Sequence, residues 1–181
     1  MVPSSFPLPT GAVVQMAYVV DDIESAMAHW TRALGVGPFF HLPHFPLLDV
    51  RYRGEPSDLD IDVALTFNGP MCIELIRQND GAPSIFREVI DTRGYGFHHW
   101  AVATSTFDVD LARYRARGND VVSSGTVAIG ARVAYLGTQD ALGSMLEIIE
   151  VTPAVDEFFG MVREAAQSWD GSAPVRLLGP A

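Results

Sequence analysis

The stretch GFHHWAVAT, residues 96–104, decides the fold, because its pattern occurs twice in the chain. Aromatic, β-branched and small residues follow a glycine here, which predicts a β-strand that starts after a turn. Successive side chains of a strand point to opposite faces of its sheet. We therefore expect His98 and His99 to face opposite ways, with His98 packed under a helix on the far face.

The same pattern lies earlier in the chain. Shifting VVQMAYVV (residues 13–20) by 84 positions aligns Gln15 with His99, and shifting the later segment IELI by 73 positions aligns Glu74 with Glu147. Each half is predicted to contain a strand, a helix and three further strands in that order. Such a half-sheet cannot bury both of its faces alone, so the two halves are expected to pack together.

The predicted fold is α+β: two βαβββ modules form a curved, cup-shaped mixed sheet, and a C-terminal helix is added to it. The modules cover about residues 12–80 and 95–151 of a paired domain that spans 1–151, and residues 152–181 form the C-terminal helix and tail. Residues 36–58 are rich in proline and aromatic side chains, which predicts an irregular segment. The apolar face of the last helix is predicted to be a docking surface and to build the contact of a homodimer.

Composition and charge narrow the classes of partner. The chain has 181 residues, of which 48% are apolar and 19% charged, as in compact domains. Its net charge of -10 disfavours nucleic acid and anionic membranes, which both select a basic surface. The single cysteine, Cys72, excludes a disulfide framework. No apolar run approaches the roughly 20 residues of a membrane span. The start lacks the regions of a signal peptide, so we expect a cytoplasmic protein.

The repeat also predicts a metal site. Gln15 and His99 lie at equivalent positions beside small residues, and Glu74 and Glu147 lie between apolar neighbours. A twofold axis between the halves would bring the four side chains to one point. Two buried carboxylates are costly unless they are neutralised, which a divalent cation would do. Three oxygens and one nitrogen suit Zn, Ni, Co, Mn, Fe or Mg without selecting one, and leave two octahedral positions for neighbouring substrate oxygens.

Each of these four residues also fits a purely structural role. His99 could be a hydrogen-bonded core histidine, Gln15 a structural amide, and the two glutamates edge-strand carboxylates that face water. Three further residues are candidates for substrate binding. Tyr135 could reach the metal cavity, Phe40 could line a pocket mouth or pack the fold, and Arg51 could hold an anionic group or lie at a solvated edge.

Four segments together resemble the vicinal oxygen chelate superfamily: VVQMAYVVDDIESAMAHW, MCIELI, GYGFHHWAVAT and GSMLEIIE. This superfamily includes glyoxalase I, methylmalonyl-CoA epimerase, extradiol dioxygenases, and fosfomycin and bleomycin resistance proteins. Each segment is short, but four in the same order are specific for the fold. The resemblance covers about residues 12–151 and implies that Gln15, Glu74, His99 and Glu147 are the metal ligands.

The resemblance implies a metal-dependent isomerase, epimerase or lyase that acts on a small substrate with vicinal oxygens, through an enediolate chelated by the metal. Glu147 or Glu74 would move the proton as general base. Methylmalonyl-CoA epimerases usually have His in the first place and Gln in the second, where this chain has Gln15 and Glu74. The set Gln, Glu, His, Glu is similar to that of animal-type glyoxalase I, without its other glutathione-site signatures.

Three alternatives accompany this function: a protein that binds and sequesters a small molecule, a metal-stabilised scaffold, and a ring-cleaving dioxygenase. Dioxygenases of this superfamily use two histidines and a carboxylate. Gln15 replaces one of those histidines, which disfavours oxygen chemistry.

Overall fold

The computed structural model describes residues 11–179, so the start of the chain, which is predicted not to be a signal peptide, lies almost entirely outside the described residues. The strands are β1 (Val13–Val19), β2 (Phe39–Leu42), β3 (Leu47–Tyr52), β4 (Glu55–Pro56), β5 (Ile61–Asn68), β6 (Met71–Gln78), β7 (Gly96–Thr104), β8 (Val121–Val127), β9 (Arg132–Leu136), β10 (Met145–Glu150) and β11 (Val175–Leu177). The helices are α1 (Ile23–Leu34), α2 (Ile85–Arg93), α3 (Phe107–Ala116), α4 (Gln139–Leu142) and α5 (Pro153–Gln167). Within residues 11–179, no helix combines the length and the apolar character needed to cross a membrane.

The strands form one curled, mixed sheet in the order β11-β2-β5-β6-β1-β7-β10-β9-β8-β3-β4. At its centre β1 and β7 pair antiparallel. On either side the chain repeats itself, since β6 pairs parallel to β1 and β10 pairs parallel to β7. The order from the centre outward is β1-β6-β5-β2 in one half and β7-β10-β9-β8 in the other. The two predicted βαβββ modules are therefore confirmed, and an approximate twofold axis passes between β1 and β7.

The registers of the two halves agree as well as their topologies. Ala17 of β1 lies opposite Glu74 of β6, and Ala101 of β7 lies opposite Glu147 of β10. These are the pairs that the shifts of 84 and 73 positions align. Each glutamate thus lies beside an alanine of a central strand, which leaves space around its carboxylate.

Helix α1 shows how the local sequence produces one layer of the fold. The side chain of Asp22 accepts a hydrogen bond from the backbone N–H of Ser25, and Gly35 ends the helix in a left-handed conformation with φ 64°. Ile23 and Met27 lie four positions apart, and both are buried against their module's sheet. Helix α3 covers the second module in the same manner. The opposite, concave face carries a separate apolar cluster that spans both modules.

The prediction that residues 36–58 are irregular is wrong. They contain β2, which pairs with β5, and β3, which crosses to pair with β8 of the other module. Pro38 directly precedes β2, and Pro43 and Pro46 lie between β2 and β3. The prolines therefore mark the ends of short strands, whose formation depends on partners distant in sequence.

The C-terminal residues complete the first module. Val155, Phe159 and Val162 of α5 are buried, and the ring of Phe159 lies 6.2 Å from that of Phe67 on β5. This face is therefore a docking surface, as predicted, and it packs on the apolar concave face of its own chain. Strand β11 then pairs parallel to β2. The homodimer and the domain boundary at residue 151 stay predictions.

A glycine tests the docking of the C-terminal segment. A Cβ added at Gly37 would lie 2.9 Å from Cη2 and Cζ3 of the Trp169 ring, whereas a Cβ at Gly81 would meet no atom within 4 Å. Gly37→Ala is therefore expected to displace the ring and to lower the free energy of unfolding by about 1–3 kcal/mol. Gly81→Ala is the control. Urea unfolding followed by circular dichroism measures both, and equal midpoints would contradict the docking.

Candidate functional site

Four strands bring the four predicted ligands together at the centre of the sheet. Nε2 of Gln15 donates to Oε2 of Glu74 at 2.9 Å and to Oε2 of Glu147 at 3.3 Å. Nε2 of His99 lies 3.1 Å from Oε2 of Glu147 and 3.5 Å from Oε2 of Glu74. Glu74, His99 and Glu147 each offer one ligand atom, and these three atoms lie within 4.8 Å of one another. We call these four residues the central cluster.

The central cluster is enclosed. Gln15, His99 and Glu147 are each at most 4% exposed, and the side chain of Glu74 is 14% exposed. The alternative that the glutamates are edge carboxylates facing water is therefore wrong. Two carboxylates share an apolar interior, where each must find a positive charge or hydrogen-bond donors.

The charges of the cluster are coupled. Burial by itself would lower the pKa of His99, but hydrogen bonds with Glu147 and Glu74 outweigh it and raise that pKa to about 9. Burial also raises the pKa of Glu74, which the hydrogen bond with His99 opposes. At neutral pH a protonated His99 therefore lies between two carboxyl groups.

The amide of Gln15 leaves one atom without a partner. Among the described residues, its Oε1 is buried and accepts no hydrogen bond. Such an acceptor costs about 1–3 kcal/mol. Rotating the amide by half a turn about its last bond would direct this oxygen into the central cluster. A cation bound by the two glutamates would favour that orientation, since it would replace the donated hydrogen bonds.

The predicted position of His98 is wrong. The pairing of β7 with β1 shifts register beside His99, which lies opposite Ala17, so that His98 is an extra residue in a β-bulge. The bulge breaks the alternation of side chains and places Nδ1 of His98 2.8 Å from Nδ1 of His99. His98 does pack beneath a helix, as expected, but this helix is α2, on the side of the central cluster.

The hydrogen bonds of His98 fix the proton positions on His99. Nε2 of His98 lies 3.1 Å from the carbonyl oxygen of Ile85, which can only accept, so this nitrogen carries the proton. Burial lowers the pKa of His98 to about 3, and the charge of His99 adds to the effect. The free Nδ1 of His98 then accepts from Nδ1–H of His99. As a result, only Nε2 of His99 is free to serve the glutamates or a metal.

Tyr135 lies where the sequence predicted. It is opposite Glu147 in the pairing of β9 with β10, and its ring is 5.2 Å from that of His99. Burial, followed by the charges of Glu147 and Glu74, raises the pKa of Tyr135 well above its usual value. The phenol therefore stays protonated and can donate a hydrogen bond.

A cavity of about 330 Å³ adjoins the central cluster. Gln15, Glu74, Glu147 and Tyr135 line it, together with apolar residues of β5, of α5 and of the turn between β8 and β9. The sequence did not predict the contribution of α5. The apolar face of α5 predicts a docking surface, but the sequence pattern does not specify which surface it covers.

Two candidates for substrate binding are not among the residues that line this cavity. Phe40 is buried within the fold opposite Leu65, and it is not among the lining residues. Arg51 is exposed on β3 and donates to the carbonyl oxygen of Gly54. The structure therefore brings neither of them to the central cluster.

These features define a class: a protein of paired βαβββ modules that holds a cluster of metal-competent side chains at its axis. Residues 14–135 match the family described as the Glyoxalase/Bleomycin resistance protein/Dioxygenase superfamily. The chain belongs to this family, which is the vicinal oxygen chelate superfamily that the sequence resembles.

Solved structures share the fold at low sequence identity. Methylmalonyl-CoA epimerase from Mycobacterium tuberculosis is 19% identical, with a TM-score of 0.57 over 86% of this chain and 95% of that one. A hypothetical protein from Bacillus halodurans C-125 is 20% identical, with a TM-score of 0.57 over 78% and 94%. A Streptomyces coelicolor methylmalonyl-CoA epimerase in complex with 2-nitronate-propionyl-CoA is 16% identical, with a TM-score of 0.53 over 80% and 99%. No curated protein sequence matches the chain.

Nitrogen-15 NMR of the histidine rings in metal-free protein tests the proton assignments. His99 is expected to be an imidazolium at pH 7, to titrate near pH 9 and to keep its Nδ1 proton above that pH, while His98 stays neutral with its proton on Nε2. Because the folded-state pKa of His99 is raised, its contribution to stability is complete below pH 6.5 and is lost as the pH rises through 9. A His98 that titrates near neutrality would show that the bulge is misplaced.

Proposed function

We propose that the chain is a metal-dependent isomerase, epimerase or lyase of the glyoxalase and methylmalonyl-CoA epimerase type. It would act on a small substrate with vicinal oxygens and form an enediolate by removal of an α-hydrogen. The observation that carries this proposal is the convergence of the central cluster from equivalent strands of two modules, beside a cavity that can hold a substrate.

The donor set fits a divalent cation. Gln15, Glu74, His99 and Glu147 would hold it, and the unpartnered Oε1 of Gln15 would gain a partner. Carboxylate, amide and imidazole ligands suit Zn, Ni, Co, Mn, Fe or Mg. When bound, such a cation would neutralise the buried carboxylates and polarise two substrate oxygens.

A glutamate of the cluster would be the general base, and Glu74 is better placed than Glu147. Both glutamates line the cavity and both accept from Gln15, but the side chain of Glu74 is 14% exposed and that of Glu147 is 5% exposed. Nε2 of His99 also lies closer to Glu147, at 3.1 Å, than to Glu74, at 3.5 Å. Burial raises the pKa of Glu74, which brings it closer to the pH at which a base is most effective.

The surrounding residues would support the proton transfer. The phenol of Tyr135 can donate to a substrate oxygen as negative charge develops there. The apolar walls of the cavity would keep water from protonating the enediolate at the wrong position.

A small-molecule binding protein is the second candidate function, because the walls of the cavity are largely apolar and could hold a ligand without chemistry. A ring-cleaving dioxygenase is less well supported. Both ring nitrogens of His98 are already engaged, so His99 is the single histidine among the described residues that offers a nitrogen to the central cluster.

Metal binding is the first prediction of this proposal. The protein should bind one divalent cation per chain, and metal at 100 times Kd should raise the free energy of unfolding by about 2.7 kcal/mol. His99→Gln should weaken binding more than about 100-fold, whereas His29→Gln, on the exposed face of α1, should leave it unchanged. Elemental analysis measures the metal bound per chain, and calorimetric titration measures the affinity of each variant. Equal affinities of the two variants would exclude His99 as a ligand.

Hydrogen exchange separates catalysis from simple binding. Metal-loaded protein is incubated in heavy water with 2-oxo aldehydes and 2-methyl acyl thioesters, and NMR follows the α-hydrogen. Glu74→Gln should slow exchange by roughly 10²–10⁴-fold, and Glu147→Gln tests the other candidate base.

Bound metal is determined in each variant, so that loss of the ion is distinguished from loss of the base. Glu24→Gln, on the surface of α1, is the matched control. A compound that binds at the cluster could carry an α-hydrogen that is never exchanged. That result would favour the second candidate function, a small-molecule binding protein.

A further inference from the structure

Among residues 11–179, the side chains that line the cavity are polar only at the central cluster. Its polar lining side chains are those of Gln15, Glu74, Glu147 and Tyr135. Every other lining residue is aliphatic, aromatic, proline or glycine. A ligand that fills the cavity can therefore form side-chain hydrogen bonds at one place alone.

Basic side chains are absent from the lining. The chain contains no lysine, and all of its 12 arginines fall within residues 11–179. None of them lines the cavity. Several are engaged elsewhere, for example Arg132 with Asp108 and Glu150, and Arg53 with Glu88. An anionic group carried into the cavity would thus find no basic side chain in its walls to pair with.

We propose that the cavity takes a substrate with an uncharged, apolar body and two vicinal oxygens at one end, rather than the conjugate of a polar, anionic carrier such as coenzyme A. An engineered cavity of roughly 150 Å³ holds benzene. By that comparison, about 330 Å³ accommodates roughly a dozen carbon atoms. The assignment of the oxygens to the central cluster rests on the proposed function; the apolar body rests on the lining alone.

The preference for an apolar body follows from the free energies of desolvation of the ligand and of the cavity walls. Val63, Leu65 and Phe159 offer dispersion contacts and the release of ordered water, which favour an apolar chain. The amide and phosphate groups of a carrier would lose their hydration along these walls without side-chain partners. Ile129 lines the cavity and is 44% exposed, so it lies where the cavity meets solvent.

Alkyl hydroxamates test the proposal, because their head group offers two adjacent oxygens to a metal. Acetohydroxamate, hexanohydroxamate and octanohydroxamate are titrated into Zn²⁺-loaded protein by calorimetry. Affinity should rise about fourfold for each added methylene until the cavity is full. A hydroxamate with eight carbons and a terminal carboxylate should bind at least 100-fold more weakly than octanohydroxamate.

A pair of variants locates the effect. Ile129→Glu places a carboxylate at the edge of the cavity. It should weaken the binding of octanohydroxamate more than tenfold and change the affinity for acetohydroxamate little. Val109→Glu introduces the same charge on the exposed face of α3 and should change neither affinity.

A second series distinguishes the two proposals. Metal-free protein is titrated with 1-butanol, 1-hexanol and 1-octanol, which need no metal. One outcome would support the apolar cavity and exclude the metal-centred function. In it, the affinity for the alcohols rises with chain length and no hydroxamate binds. Affinity independent of chain length in both series, or preference for the carboxylate-ended hydroxamate, would overturn the apolar substrate while leaving the metal-centred function intact.

Discussion

The antiparallel pairing of β1 with β7 is the contact on which the rest of the structure depends. It joins two half-sheets that could not bury their own faces and sets the axis that relates them. The parallel neighbours β6 and β10 then follow in equivalent registers. Glu74 and Glu147 are thereby placed on either side of Gln15 and His99. The cluster is a direct consequence of how the modules meet.

That geometry creates an electrostatic problem inside the fold. Two carboxylates with one imidazole and one amide are enclosed among apolar side chains, and the imidazole must hold a proton to balance part of their charge. The amide satisfies the carboxylates with its nitrogen and leaves its oxygen unpartnered among the described residues. A cation would remove both costs at once. The same balance explains the role of His98, since its acceptor nitrogen keeps a proton on Nδ1 of His99 and leaves Nε2 for the cluster.

The repeat in the sequence was sufficient to predict the modules and the four residues of the cluster, because both follow from strand order and side-chain alternation. It could not predict the side on which His98 lies. That side depends on a bulge, and a bulge is set by the pairing of β7 with β1 rather than by residues near His98. The strands within residues 36–58 were missed for a related reason, since β3 forms against β8 of the other module. Helix α5 was predicted correctly, but which apolar surface it covers depends on the curvature of the sheet.

Binding of a divalent metal through Gln15, Glu74, His99 and Glu147 is the property from which the proposed chemistry follows. Anomalous diffraction from crystals grown with the ion, recorded on both sides of its absorption edge, tests it most directly. We expect one anomalous peak per chain, within coordination distance of Oε1 of Gln15, both carboxylates and Nε2 of His99. The amide of Gln15 should be turned by half a rotation. Crystals that show no peak at saturating metal, with Nε2 of Gln15 still donating to the two glutamates, would contradict it.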